Sequence, residues 1–262
     1  MAKATIIAVC NQKGGVGKTT TTENFAFTLA EKGKRVLLVD FDAQASLTQT
    51  QGITQPDNLK NTIYNLMLSV INEEEHPQSP VLHTKWPDVD LMPANIDLAA
   101  LETALVKVMS REHIMKAVLE PFREDYDYIL IDCQPSLGLL TVNAWTAADE
   151  VLIVTTPQIF SSKGLEQLFA SIKRIQRYTN PRLRIAGVLM TRFAEKVKIN
   201  REVMEITQQA YGGAIRIFDA KVPSSVKVDE SHYMCVPIIQ YDPKGKVAEA
   251  YRAFCEEYLA GK

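Results

Sequence analysis

Ten residues near the amino terminus, Asn11-Gln12-Lys13-Gly14-Gly15-Val16-Gly17-Lys18-Thr19-Thr20, constrain what this 262-residue chain can fold into more than any others. They follow a short apolar run, Thr5 to Cys10, that reads as a buried strand. They precede Thr21 to Lys32, which reads as a helix with Gly33 placed to end it. Strand, glycine-rich turn and helix in that order are the setting of a phosphate-binding loop. The glycines let successive backbone N–H groups turn inward around anionic oxygens. The helix adds unpaired N–H groups and the positive end of its dipole. Gly14, Gly15, Val16, Gly17 and Thr20 then line the phosphates, Lys18 reaches the β- and γ-phosphates, and the Thr19 hydroxyl holds Mg²⁺.

The rest of the chain alternates apolar runs with helical patterns. Arg35 to Asp40 is apolar without alternation, as strands covered on both faces are, and runs into Phe41-Asp42-Ala43-Gln44. A parallel order places it beside the first strand. Leu59 to Ile71 has helical spacing, Asn72 to Pro80 reads as an exposed polar loop, and Val89 to Met92 as a short strand. Ile96 to Phe122 carries apolar residues at helical intervals, in two helices broken near Ser110. Tyr128 to Asp132 is an apolar run ending in an acid, the shape of a Walker B element. Asp132, at a strand's carboxyl end, is placed to hold a metal through water. Helices are predicted over Leu137–Ala147, Ser161–Arg177 (capped by Ser161), Asn200–Tyr211 (stopped by Gly212-Gly213) and Pro243–Leu259. Strands are predicted over Val151–Thr155, Arg184–Met190 and Ile215–Phe218, with a loop from Val222 to Ser231. The alternation predicts one α/β domain over residues 1–262, a doubly wound, mostly parallel sheet flanked by helices.

No apolar run approaches the roughly 20 residues a bilayer requires, and the first strand follows Met1 without a signal-peptide h-region. Four widely spaced cysteines read as reduced packing residues of a cytosolic protein. Net charge is −2 but unevenly spread: residues 1–159 carry 12 basic and 20 acidic side chains, residues 160–230 carry 13 and 7. Such a local excess attracts a polyanion whatever the whole-chain balance.

The loop departs from G-x-x-x-x-G-K-[ST]: Gln12 stands where the first glycine would, and Lys13 adds a second lysine. K-G-G-x-G-K-T resembles the deviant Walker A loop of the ParA/MinD family of dimerising ATPases. The resemblance extends through Asp40-Phe41-Asp42-Ala43-Gln44, Asp132 to Thr141, Phe160 to Leu165, Gly187 to Arg192 and Val222-Pro223, and so covers nearly the whole chain. Ala43 and Gln134 stand where the family has prolines. The resemblance implies a P-loop ATPase that uses ATP and Mg²⁺ and forms a homodimer in the ATP state. Lys13 and Lys18 then act on the phosphates, Lys13 on those held by the partner. Asp42 orients the attacking water and stands with Thr19 and Asp132 around the metal, while Asp40 serves the metal shell or the strand-end turn. Thr191, Arg192 and Pro223 line the adenine site.

Within that family, MinD-type members end in a basic amphipathic helix. Val247 to Leu259 carries Glu249, Glu256 and Glu257 against Arg252 alone, so anionic lipid would repel it and no membrane partner is expected. The cysteine placement does not suit an iron–sulfur cluster shared between subunits, as in the nitrogenase iron protein. ParA-type partitioning fits better: non-specific DNA held by Lys196, Lys198, Arg201 and Lys227, with Ser224 where the family has an arginine. The first strand starts at once, leaving no room for an amino-terminal helix-turn-helix. The resemblance further implies slow hydrolysis stimulated by a ParB-type centromere-binding partner, in the cytoplasm and on the nucleoid. Three other readings stay open: an ATPase that positions a protein assembly, a nucleotide-regulated DNA binder with negligible turnover, and a MinD-like regulator at the membrane.

Overall fold

Apolar strands that lack alternation need cover on both faces, and the chain builds it. The computed structural model describes residues 3–74, 79–158 and 161–261. Its strands are β1 (Thr5–Cys10), β2 (Val36–Phe41), β3 (Leu82–His83), β4 (Val89–Met92), β5 (Tyr128–Cys133), β6 (Glu150–Thr155), β7 (Arg184–Met190) and β8 (Ile217–Lys221). They form one sheet in the order β3-β4-β2-β5-β1-β6-β7-β8, parallel throughout except for the β3–β4 pair. Ile6, Ala8 and Cys10 of β1 face one hydrophobic layer, and Ile7 and Val9 face the other.

The helices before the middle of the chain are α1 (Lys18–Glu31), α2 (Ser46–Thr50), α3 (Ile63–Asn72), α4 (Leu98–Leu105) and α5 (Ile114–Leu119). Those after it are α6 (Leu139–Ala147), α7 (Ser161–Tyr178), α8 (Lys198–Tyr211), α9 (Val226–Tyr233), α10 (Ile238–Tyr241) and α11 (Lys246–Ala260). Leu66, Met67, Leu101, Met115, Trp145 and Ile172 fill one layer. Phe25, Leu29, Ile239, Tyr251 and Phe254 fill the other. There Phe254 packs at a tilt against Phe25 at 4.9 Å and edge-on against Phe218 at 4.8 Å, which ties α11 to α1 and β8. The last helix is therefore docked on the body of the protein.

Several elements depart from expectation. β2 does not adjoin β1; β5 lies between them, so Asp132 at the end of β5 sits near the centre of the sheet. The helix expected from Leu59 begins at Ile63, because Thr62 and Asn65 form a capping box there. The break near Ser110 is a residue in the left-handed region, φ 52°. β8 begins two residues later than predicted and runs on to Lys221. The loop expected from Val222 to Ser231 becomes helical at Val226, capped by the Ser225 side chain, which accepts from the Lys227 amide at 3.2 Å. The final helix starts at Lys246, after the separate turn of α10. The matched Phe160 and residues 75–78 of the polar run lie outside the described residues, as does the Ser161 side chain on which the expected cap depends.

Both sheet edges are closed. β3 has two residues and pairs antiparallel through Leu82–Leu91 and His83–Asp90. At the other edge the Glu257 carboxylate of α11 accepts from the Asp219 and Ala220 amides of β8, at 3.0 and 3.1 Å.

Candidate functional site

The glycine-rich loop joins β1 to α1 at the carboxyl edge of the sheet. Gly15 (φ 71°) and Gly17 (φ 86°) take left-handed conformations that a side chain would strain, and Gly17 caps α1. Between them Val16 is buried, and its carbonyl accepts from the Thr191 hydroxyl at 2.6 Å. Asn11 braces the other end: its amide donates to the Val154 carbonyl at 2.7 Å and its oxygen accepts from the Lys13 amide at 3.0 Å. Lys18, only 7% exposed, curls back so that its ammonium donates to the Lys13 carbonyl at 3.3 Å. A buried ammonium inside a ring of backbone amides is a site for a polyanion.

Beneath the loop lies a pair of buried acids. Asp132 ends β5 and accepts from the Thr19 hydroxyl at 2.6 Å. Asp40 stands opposite it in the β2–β5 register. Burial pushes Asp132 up to about 8, and the neighbouring Asp40 adds to the rise. Burial likewise lifts Asp40 to about 6, against the amide and hydroxyl of Thr48, which donate to it at 2.8 and 2.7 Å. Asp132 is thus a carboxylate short of positive charge beside a threonine hydroxyl, a donor set of hard oxygens that suits Mg²⁺. Asp40 is committed to Thr48, whose hydroxyl also accepts from the Ala94 amide at 3.1 Å. Of the two roles expected for Asp40, the strand-end turn is the one its contacts serve.

That turn presents Asp42. Its amide donates to Asp40 at 3.3 Å, and its Oδ1 accepts from the Gln44 amide at 3.0 Å. Its Oδ2 makes no hydrogen bond among the described residues. Asp42 is half-buried, so one oxygen is fixed and the other is left to act on a ligand.

Thr191, Arg192 and Pro223 come together beside the loop. With Gly17, Thr20 and Tyr251 they line a cavity of about 380 Å³. The Thr191 hydroxyl is engaged with Val16, so this residue holds the loop in place as well as walling the cavity. Lys13 lies at the exposed rim, where its ammonium donates to Gln158, just past the end of β6. The four basic residues expected to meet DNA differ in state. Lys198 pairs with Glu202 at 3.4 Å and Lys227 with Asp242 at 2.8 Å. Arg201 donates to the Glu195 carbonyl at 2.6 Å, while Lys196 is exposed and, among the described residues, makes no ion pair.

Sequence reasoning did not find Thr48 or Gln158. Gln158 meets Lys13 only because β6 lies beside β1, and nothing local to either residue signals that. Nor did it find the buried Glu23 of α1, which accepts from Gln51 at 2.8 Å with His232 of α9 at 3.7 Å. No local signal marks it, since α1 buries several polar residues, Thr21, Thr22 and Asn24 among them.

Comparison with known proteins agrees with this geometry. A family model described as an AAA domain matches residues 4–185. The chain is 38% identical over 255 residues to the sporulation initiation inhibitor protein Soj of Bacillus subtilis, covering 97% of this chain and 98% of that one. It is 40% identical over 255 residues to the chromosome partitioning protein ParA of Myxococcus xanthus, covering 97% and 87%. Among solved structures it is similar to cobyrinic acid a,c-diamide synthase from Mycobacterium smegmatis with bound ATP analogue and magnesium, with TM-score 0.84, 33% identity and coverage of 98% and 94%. It is also similar to the septum site-determining protein MinD of Pyrococcus horikoshii complexed with Mg-ADP, with TM-score 0.76, 25% identity and coverage of 98% of each chain.

Proposed function

The chain belongs to the ParA/MinD family of P-loop ATPases, and from that premise we propose that it is a partitioning ATPase whose nucleotide joins two copies on DNA. In this reading ATP and Mg²⁺ bring two subunits face to face, and the dimer holds DNA without regard to sequence. Hydrolysis, slow alone and quickened by a ParB-type centromere-binding protein, then releases it. The observation that carries the reading is the bond from Thr19 to the buried Asp132 beneath a glycine loop that has a second lysine, Lys13, at its rim.

Each residue has a task that follows from its chemistry. Phosphoryl transfer asks for positioning and charge more than for covalent steps. The amides of Gly14 to Thr20 hold the phosphate oxygens, and Lys18 neutralises them from within. Thr19 and Asp132 would hold Mg²⁺, and the bound metal would supply neutralisation of the β- and γ-phosphate charge. Asp42, with its free oxygen, accepts a hydrogen bond from the attacking water and aims it at the terminal phosphate. Lys13 extends to the partner's phosphates. The purine occupies the cavity beside Thr191, Arg192 and Pro223.

Similarity to the Soj and ParA proteins supports a site of action on the nucleoid in the cytoplasm. The test combines sizing with DNA retention in ADP and in a non-hydrolysable ATP analogue, each with Mg²⁺. Dimers and DNA retention that require the triphosphate are expected; monomers that ignore DNA in both nucleotides would overturn the reading.

A further inference from the structure

The sequence points to α8 and α9 for DNA contacts, yet their cations are largely engaged: Lys198, Arg201 and Lys227 each have a partner. Lys196, ahead of α8, has no ion pair among the described residues, but the larger cluster of such cations is on α7. Leu165, Leu168, Phe169, Ile172 and Ile175 bury one side of that helix in the sheet's cover. Lys173, Arg174, Arg177 and Tyr178 are exposed on the other. Among the described residues none of the three cations has an ion-pair partner, and Glu166 is the one acid in the helix. Tyr178 is 72% exposed, and the Arg177 guanidinium lies 5.3 Å from its ring centroid, a contact that orders the guanidinium at the surface.

Positive surface continues past the end of the helix. A cavity of about 720 Å³ there is lined by Lys116, Arg182 and Arg184, with Glu120 and Asp149 as its acids. Lys116 and Arg182 have no ion-pair partner among the described residues, whereas Arg184 pairs with Glu150.

We propose that the outward face of α7, through Lys173, Arg174 and Arg177, is the principal surface by which this protein grips the phosphate backbone of double-stranded DNA. The proposal rests on the DNA-binding reading given above and moves its centre from α8 to α7. Unpaired cations gain most from a polyanion, since no internal partner has to be displaced and the counterions of the DNA are released. Guanidinium groups meet phosphate oxygens in pairs, which suits backbone contact without base reading. A lipid surface is the wrong partner for this face, because the apolar side an interfacial helix would insert is already buried in the protein.

The experiment measures affinity for a duplex of arbitrary sequence against salt concentration, using the full chain with Mg²⁺ and a non-hydrolysable ATP analogue. Three proteins are compared: wild type, Lys173→Gln/Arg174→Gln/Arg177→Gln, and Lys198→Gln/Lys227→Gln. Each lost phosphate contact lowers the slope of log affinity against log salt by about 0.9. The α7 triple variant is expected to lose between about two and three of that slope and more than tenfold in affinity at about 0.1 M salt. The α8–α9 double variant should lose less of the slope than the triple variant, because each of its cations already faces an acid at the surface. The charge-keeping Arg174→Lys/Arg177→Lys variant should restore the wild-type slope, which a folding defect in the triple variant would not explain. If wild type binds DNA and the triple variant keeps its slope, the α7 proposal is overturned and the DNA-binding reading stands. If wild type shows no salt-dependent retention in the triphosphate state, both fall.

Discussion

Two acids separated by one residue do different work here, and burial is what separates them. Asp40 is fully buried and bound to Thr48, whereas Asp42 keeps one oxygen unengaged at the edge of the site. Asp42→Ala should therefore leave ATP-dependent dimers intact while hydrolysis falls by about 10²-fold or more, read by phosphate release beside sizing; hydrolysis at the wild-type rate would remove Asp42 from its role. Glu23 gives a prediction about pH. Burial raises its carboxyl from 4.5 to about 7, so the folded chain holds a proton that the unfolded chain has lost above 4.5. The stability this confers is complete below about pH 4.5 and is lost as pH rises toward 7. His232, which burial holds below its ordinary value, acts in the opposite sense and is common to both proteins compared. Glu23→Gln should raise stability near pH 8 by an amount on the order of 2 kcal/mol and flatten the decline between pH 5 and 7, measured by denaturant unfolding across that range. At this scale the sequence was legible wherever function is written contiguously. Lys18 and Thr19 follow the glycines directly, and Asp132 ends an apolar run. Thr48 and Gln158 were not legible, because their importance comes from partners 8 and 145 residues away.

The loop and the helix it feeds behave as one element. Gly17 has φ 86°, and a Cβ there would meet Thr191 at 4.0 Å, an ordinary contact. Space is available; the backbone conformation is the obstacle. Gly17→Ala should cost about 1 kcal/mol or more of stability through that conformation, with a larger loss of ATP affinity as the amides turn away. Calorimetric melting with and without nucleotide separates the two effects; unchanged ATP affinity would show that the amides of this turn do not hold phosphate. Long apolar strands and strongly periodic helices were readable from the chain, as β1, β5 and α7 show. The segment from Ile215 to Ser231 was misread, and the reason is tertiary. β8 takes its register from β7, with a shift between Val188 and Met190, and α9 is started by a serine cap inside a polar stretch whose helical pattern is weak.

For the whole molecule, the order of the strands decides what gathers at the nucleotide. With β1 between β5 and β6, the glycine loop is flanked by the Walker B acid on one side and by Gln158 on the other. Strand order is set by how crossover helices pack, which a single sequence does not display, and so β2 was expected next to β1. Gln158 holds the Lys13 ammonium within its own subunit, and reaching a partner's phosphates requires its release. Lys13→Gln should weaken the ATP-dependent dimer. Gln158→Ala should tighten it by about threefold, consistent with loss of one exposed competing hydrogen bond. Analytical ultracentrifugation in the ATP analogue reads both, and equal dimer constants in all three proteins would remove Lys13 from the interface.

Among the described residues, one margin of the sheet ends in the two-residue β3, and at the other the Glu257 carboxylate occupies the Asp219 and Ala220 amides of β8. Strand addition by another chain is disfavoured at both margins. Any fibre or larger array of the proposed ATPase should therefore be stitched through side chains, and should come apart in concentrated salt rather than persist until urea unfolds it.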